Sequence, residues 1–209
     1  MIKGFVFDLD DTLYLERDYV RSGFCAIAQA FGDERLSDEL MRLFTEDRRN
    51  VYQRAGFSDE ECGRCIAVYR QHLPDIRLSD AAKDTLSALR ARGCRLGILT
   101  DGRPQGQRNK IQALGLEPMV DAIVVTDELG GEAFRKPNPT AFQMMKEALA
   151  LDYDEMVYVG DNPIKDFVAP KMLGMQACYL RNPDGLYFSA QEIDPSIPTI
   201  NDITEVLTL

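Results

Sequence analysis

Five short runs of β-branched and apolar residues alternate along this chain with amphipathic stretches, and four of the five end in acid. IKGFVFDLD (2–10) closes on Asp8 and Asp10, GCRLGILTDG (93–102) on Asp101, DAIVVTD (121–127) on Asp127 and EMVYVGD (155–161) on Asp161; QACYLRN (176–182) is the fifth. Between them lie helical patterns over 80–93, 104–116, 138–151 and 163–174. Strand then helix, repeated, with strands apolar on both faces, implies a parallel α/β sheet. All carboxyl ends of such a sheet share one edge, and ligands bind in the crevice there. Asp8, Asp10, Asp101, Asp161 and the nearby Asp166 should therefore converge.

Residues 16 to about 77 break the rhythm. They contain no strand pattern and read as helices over 17–32, 37–56 and 58–73, punctuated by Gly32, Gly56 and Pro74. An insertion of this length is too long for an ordinary crossover and reads as a small helical domain set on the rim of the sheet. The expected division is 1–15 and 78–209 for the α/β core and 16–77 for the helical cap. The closing PSIPTINDITEVLTL reads as a short edge strand and a helix.

A cluster of carboxylates repels itself unless something neutralises it. A hard divalent cation suits such a site, and Mg²⁺ fits a few carboxylates, waters and a substrate phosphate. Lys136, just before a helix with Asn138 as N-cap and Pro139 at the first helical position, can add a positive charge. Asp127 reads as a turn residue.

Other classes are disfavoured by composition. With 34 acidic and 24 basic residues the net charge is −10, so phosphate backbones and anionic membranes would repel the chain. No apolar stretch approaches the ~20 residues of a bilayer span, and acids interrupt the N-terminal apolar run too soon for a signal peptide. The five cysteines are read as reduced thiols of a cytoplasmic protein. A single histidine, His72, excludes any two-histidine metal site. Cys62 and Cys65 form a lone Cys-x-x-Cys without a second ligand pair, which marks one face of a helix. In EDRRNVYQR, Arg48 and Tyr52 are expected four apart on a helix, as a solvated face. Tyr14, Glu16, Arg17 and Tyr19, near the entry to the insertion, take the same reading.

The acid-bearing segments resemble four motifs of the haloacid dehalogenase-like hydrolase superfamily. FVFDLDDTLY resembles the first, GILTDG the second, RKPNPTAF the third and VYVGDNPIKDF the fourth, in family order and at family-like spacing. The resemblance covers 1–15 and about 78–209. It implies a Rossmann-like parallel sheet in the order 5-4-1-2-3, helices on both faces and a small all-helical cap inserted after the first strand. It further implies that Asp8 attacks phosphorus to form an aspartyl-phosphate and that Asp10 serves as general acid and base. Mg²⁺ would be held by Asp8, the Asp10 carbonyl and Asp161, with Asp166 in support. Thr100 and Lys136 would bind and stabilise the phosphate, and the Asp101 and Gly102 amides would form an anion nest. Arg103 could reach the substrate. Dehalogenases of the superfamily lack the second acid, because a halide leaves without a proton; Asp10, with Thr12, favours a phosphate ester. Motif two carries Asp101 where many relatives have Asn or Ser.

The expected function is hydrolysis of a small phosphorylated metabolite. Phosphotransfer or sugar-phosphate isomerisation by the same superfamily is the alternative. A non-enzymatic phospho-aspartate receiver is more remote, because such modules are shorter and lack the insertion.

Overall fold

The computed structural model describes residues 1–186, 188 and 194–209. The strand β1 (Gly4–Phe7) is entirely buried. It pairs in parallel with β2 (Arg95–Thr100) on one side and β4 (Met156–Gly160) on the other. Beyond β2 lies β3 (Ala122–Val125); beyond β4 lies β5 (Gln176–Leu180). The five expected strands occupy the expected relative positions, but the sheet has six. Thr199–Ile200 forms β6 beside β5, which corrects the order to β3-β2-β1-β4-β5-β6. The addition is two residues long, the size of edge strand that limits pairing with other chains.

Strand side chains alternate between faces. Val6, Leu99, Met156 and Tyr158 point into one apolar cluster with Phe142, Met145 and Leu149 of α7 (Thr140–Leu149) and Ala169 of α8 (Val168–Leu173). Phe5, Phe7, Ile98, Val157 and Val159 alternate with these and are buried on the opposite face. There α5 (Asp80–Ala91), started by a Ser79 side-chain cap, packs on β2 and on the closing segment Ile203–Thr208. That closing segment is a 3-10 helix. The helix expected over 163–174 is shortened to α8, because residues 163–167 form the turn that carries Asp166. Asn138 accepts from the Thr140 amide at 2.9 Å, so the first helical residue is Thr140 and not Pro139.

By Cα packing the chain separates into two compact units, Met1–Glu16 with Arg77–Leu209, and Arg17–Ile76. The second is wholly helical: α1 (Glu16–Phe31, whose first residue belongs to the first unit), α2 (Leu36–Glu46), α3 (Val51–Arg54) and α4 (Asp59–Gln71). It has a core of its own around Val20, Phe24, Ile27, Leu40 and Cys65. The Phe24 ring meets those of Phe44 and Tyr52 edge-on at 5.9 and 6.4 Å. At Gly23 a Cβ would lie 2.4 Å from the Tyr69 ring, so only glycine lets α1 and α4 approach this closely. A reciprocal Ser58–Glu61 capping box starts α4. Cys62 and Cys65 lie buried on its inner face as free thiols. The Nδ1 of His72 is paired with the Tyr69 carbonyl at 2.7 Å.

The long helix expected over 37–56 is broken. Asp47 turns extended and ends α2, Asn50 ahead of α3 is left-handed at φ 52°, and Arg54 donates to the Leu43 and Asp47 carbonyls at 2.9 and 2.6 Å. Arg48 therefore precedes α3 instead of sharing a helix face with Tyr52.

Candidate active site

The carboxyl ends of β1, β2 and β4 open onto a cavity of about 370 Å³. It is lined by Asp8, Asp10, Glu16, Thr100, Asp101, Gly102, Arg135, Lys136, Asp161, Asn162 and Lys165. Asp8 follows β1 directly, and its amide donates to the Val159 carbonyl at 2.9 Å, so the sheet ladder itself fixes its position. Lys136 lies at the centre. Its ammonium is 2.7 Å from Asp8 Oδ1 and 2.8 Å from Asp166 Oδ1, and donates to the Tyr158 hydroxyl at 2.7 Å. Burial opposes the charge on Lys136, but Asp166 and Asp8 outweigh it and hold the ammonium well above its ordinary range.

Asp166 is fully buried. Its second oxygen accepts from the Asn162 amide at 2.9 Å. A Cβ on Gly160 would lie 2.4 Å from that same oxygen, so the last residue of β4 must be bare for Asp166 to fold back over it.

Asp8, Asp161 and Asp166 each present an oxygen within 4.8 Å of the others, and among the described residues this is the single such cluster of metal-ligand type. Burial, then the Asp8 and Asp166 charges, push the Asp161 carboxyl up to about 9. Burial likewise raises Asp8 to about 6, even against Lys136 and Lys165. Hard oxygen donors this crowded, held by a strand end and a tight turn, are suited to a divalent cation such as Mg²⁺. The Asp10 carboxylate stands apart from this cluster. It accepts from Lys110 at 2.8 and 3.0 Å, from Gln107 at 3.0 Å and from the Tyr14 hydroxyl. Burial opposes ionisation of Asp10, but Lys110, with Tyr14 and Gln107, brings its pKa below the usual value.

The Asp101 side chain, unexpected beside a phosphate, is neutralised. One oxygen accepts from the Thr126 hydroxyl and the Lys136 amide, both at 3.0 Å; the other pairs with Lys165 Nζ at 3.0 Å. Thr100, buried at the end of β2, and Gly102 both line the cavity. Arg103 is exposed and is not among the lining residues; the guanidinium side chain that lines the cavity is Arg135, which also grips Asp127 with two bonds of 2.7 Å. Asp127 is thus more than a turn residue. Thr12 is buried, and its hydroxyl has no hydrogen-bond partner among the described residues.

The sequence pointed to a single ammonium group. The site contains three: Lys136, Lys165 and Lys110. Lys110 and Gln107 lie on α6 (Pro104–Ala113), a polar helix whose Gln107, Asn109 and Lys110 are nevertheless buried. Glu16 and Tyr14 also depart from the solvated reading. Glu16 lines the cavity, where burial and the Asp10 charge push its carboxyl up to about 8; Tyr14 is buried against Asp10. Arg17 is exposed as expected, and Tyr19 packs inside the helical unit.

The sequence profile of the haloacid dehalogenase-like hydrolases matches residues 2–174. The chain belongs to that family. As a haloacid dehalogenase-like hydrolase it is similar to a glyceraldehyde 3-phosphate phosphatase of Methanocaldococcus jannaschii, 27% identical over 100% of this chain and 97% of the relative. A second protein of that name, from Methanopyrus kandleri, is 30% identical over 93% of this chain and 88% of its own length. Among solved structures, a Bacillus subtilis HAD-hydrolase bound to magnesium superposes with a TM-score of 0.72 at 19% identity, over 99% of this chain and 97% of that one. That likeness establishes the fold. No helix among the described residues is long and apolar enough to cross a membrane.

Proposed function

We propose that this hydrolase is a Mg²⁺-dependent phosphatase of small phosphorylated metabolites, working through an aspartyl-phosphate on Asp8. The observation that carries the reading is the Lys136 ammonium held 2.7 Å from Asp8 and 2.8 Å from Asp166, beside the carboxyl of Asp161. A carboxylate nucleophile must approach an anionic phosphate, so its chief obstacle is charge repulsion, and catalysis consists largely of neutralising that charge.

Asp8 forms a bond to phosphorus as the ester P–O bond breaks. Asp10, which must enter this step protonated, gives that proton to the departing alkoxide. Water then attacks phosphorus, Asp10 takes a proton from it, and the Asp8–phosphorus bond breaks to release phosphate. Thr100 and the Asp101 and Gly102 amides bind the phosphate oxygens, while Lys136 offsets their charge. Mg²⁺, held by Asp8, Asp161 and the Asp10 carbonyl with Asp166 in support, would supply the remaining charge neutralisation.

The helical unit leaves the α/β core at Glu16, a residue lining the cavity, and returns at Arg77. This connectivity supports a role as a substrate-selecting cap, for small molecules and not for nucleic acid or membranes. The names of the two archaeal relatives make glyceraldehyde 3-phosphate the first substrate to try. The paired acids Asp8 and Asp10 favour ester hydrolysis, because an alkoxide leaving group needs a proton.

The test is a panel of phosphorylated metabolites assayed for phosphate release with Mg²⁺ and with excess chelator, on wild type and Asp8→Asn. Metal-dependent turnover that vanishes in the variant is expected. Full activity in Asp8→Asn would refute the nucleophile.

A further inference from the structure

Two polar side chains of α6 are buried where a helix of its composition would present them to water. Lys110 Nζ lies 2.8 and 3.0 Å from the two Asp10 carboxylate oxygens. Gln107 Nε2 lies 3.0 Å from Asp10 Oδ2 and 2.6 Å from Thr100 Oγ1. An amide nitrogen has two hydrogens, and here one serves each partner. The carboxylate of Asp10 can only accept, which fixes the amide with its NH₂ group toward the site. Thr100, already accepting from Gln107, then has its own O–H left to donate. With Tyr14 also donating to Asp10, the acid after β1 and the threonine ending β2 are joined into one bonded unit.

We propose that Lys110 and Gln107 are positioning residues: Lys110 fixes the Asp10 carboxylate, and Gln107 turns the Thr100 hydroxyl toward a bound phosphate. The inference rests on the phosphatase reading above and adds a division of labour to it. Lys110 acts through the residue that handles the leaving-group proton, so it serves turnover. Gln107 holds both, but its shorter bond is to the phosphate ligand, 2.6 Å to Thr100 against 3.0 Å to Asp10, which Lys110 and Tyr14 also hold, so it serves binding first.

The experiment compares full-length wild type, Gln107→Met, Lys110→Gln and Lys110→Met on two substrates with Mg²⁺: the best alkyl phosphate of the panel and p-nitrophenyl phosphate. Inorganic phosphate is the competitive inhibitor. Gln107→Met is expected to raise KM and the inhibition constant of phosphate about fivefold, the worth of one hydrogen bond, with kcat within threefold. Lys110→Gln is expected to lower kcat on the alkyl ester about 10²-fold, within the range of acid–base catalysis, with KM little changed. On the p-nitrophenyl ester, whose leaving group needs no proton, its loss should be under tenfold.

Equal losses on both esters that track Tm would overturn the inference, as would variants within twofold of wild type. Should both Lys110 variants prove insoluble, the phosphate inhibition constant of Gln107→Met decides. Wild type that turns over neither ester speaks against the phosphatase reading itself. Active wild type and dead Asp8→Asn beside unmoved α6 variants sink this inference alone.

Discussion

The α/β core and the helical unit bury charge in opposite ways. Among the described residues thirteen polar or charged side chains are buried, and all belong to residues 1–16 or 77–209: Asp8, Asp11, Thr12, Thr85, Thr100, Gln107, Asn109, Lys110, Thr126, Lys136, Asp161, Asn162 and Asp166. The helical unit contributes none to that set; its ion pairs, such as Arg42–Glu39 and Arg49–Asp47, lie on its surface. Buried ions are costly unless closely paired, so their concentration in one unit marks where chemistry outweighs stability. The helical unit is organised for packing: aromatic rings edge-on, a glycine where two helices touch, and a capped helix.

The contrast can be tested by perturbing each unit in turn. The largest effect should come from Asp8→Asn, which should lower turnover by about 10⁴-fold or more while thermal unfolding shows a stable protein; a stable variant with wild-type rates would remove the core's claim to chemistry. Lys136→Met should be the worst of the folding defects, costing about 3–5 kcal/mol in denaturant titrations, because it strands Asp8 and Asp166 without their cation. A loss below about 1 kcal/mol would mean that the carboxylates do not depend on it. In the helical unit Leu40→Ala should cost about 2–5 kcal/mol through the cavity left behind, yet change the inhibition constant of inorganic phosphate less than twofold, since the expected phosphate ligands all lie in the core. A large change in that constant would dissolve the separation.

Magnesium should then act on the core in a pH-dependent way. Asp8 and Asp161, raised to about 6 and about 9, retain protons in the folded state that the unfolded chain releases near pH 4. Stability from these groups is therefore full below about pH 4 and declines as pH rises toward 9. Mg²⁺ competes with those protons, so its increment in Tm should be larger at pH 8 than at pH 6; the reverse order would contradict the assignment. The smallest effect should be that of Arg49→Ala, which removes an exposed pair and should leave Tm within about 2 °C.

The core was legible because Asp8 and Asp161 fall at the ends of apolar runs and Asp166 in the turn just after one, so the residues that define a strand also define its edge. Strand positions and the convergence of Asp8, Asp161 and Asp166 follow from that coincidence. Lys110 and Gln107 were hidden for the opposite reason: three residues apart on a polar helix, they look like a wetted face, and only the tertiary fold turns that face inward toward Asp10. Lys165 was similarly concealed inside a motif already accounted for by its acids. The demand of Asp10 for a counter-cation was the available clue. The break between Asp47 and Asn50 has no sequence signature, because a few non-helical residues change no periodicity outside their own turn, whereas they end the run of Arg48 and Tyr52 along one face.

One position contributes by having nothing there. At Gly160 the strand leaves an empty notch the size of a methyl group, and the Asp166 carboxylate occupies it. Filling the notch would push that carboxylate away from Lys136 without altering any ionisable residue. The electrostatics of the pocket thus depend on a vacancy in the backbone's profile, and a one-carbon change at a chemically inert residue would reach Asp8 through two neighbours.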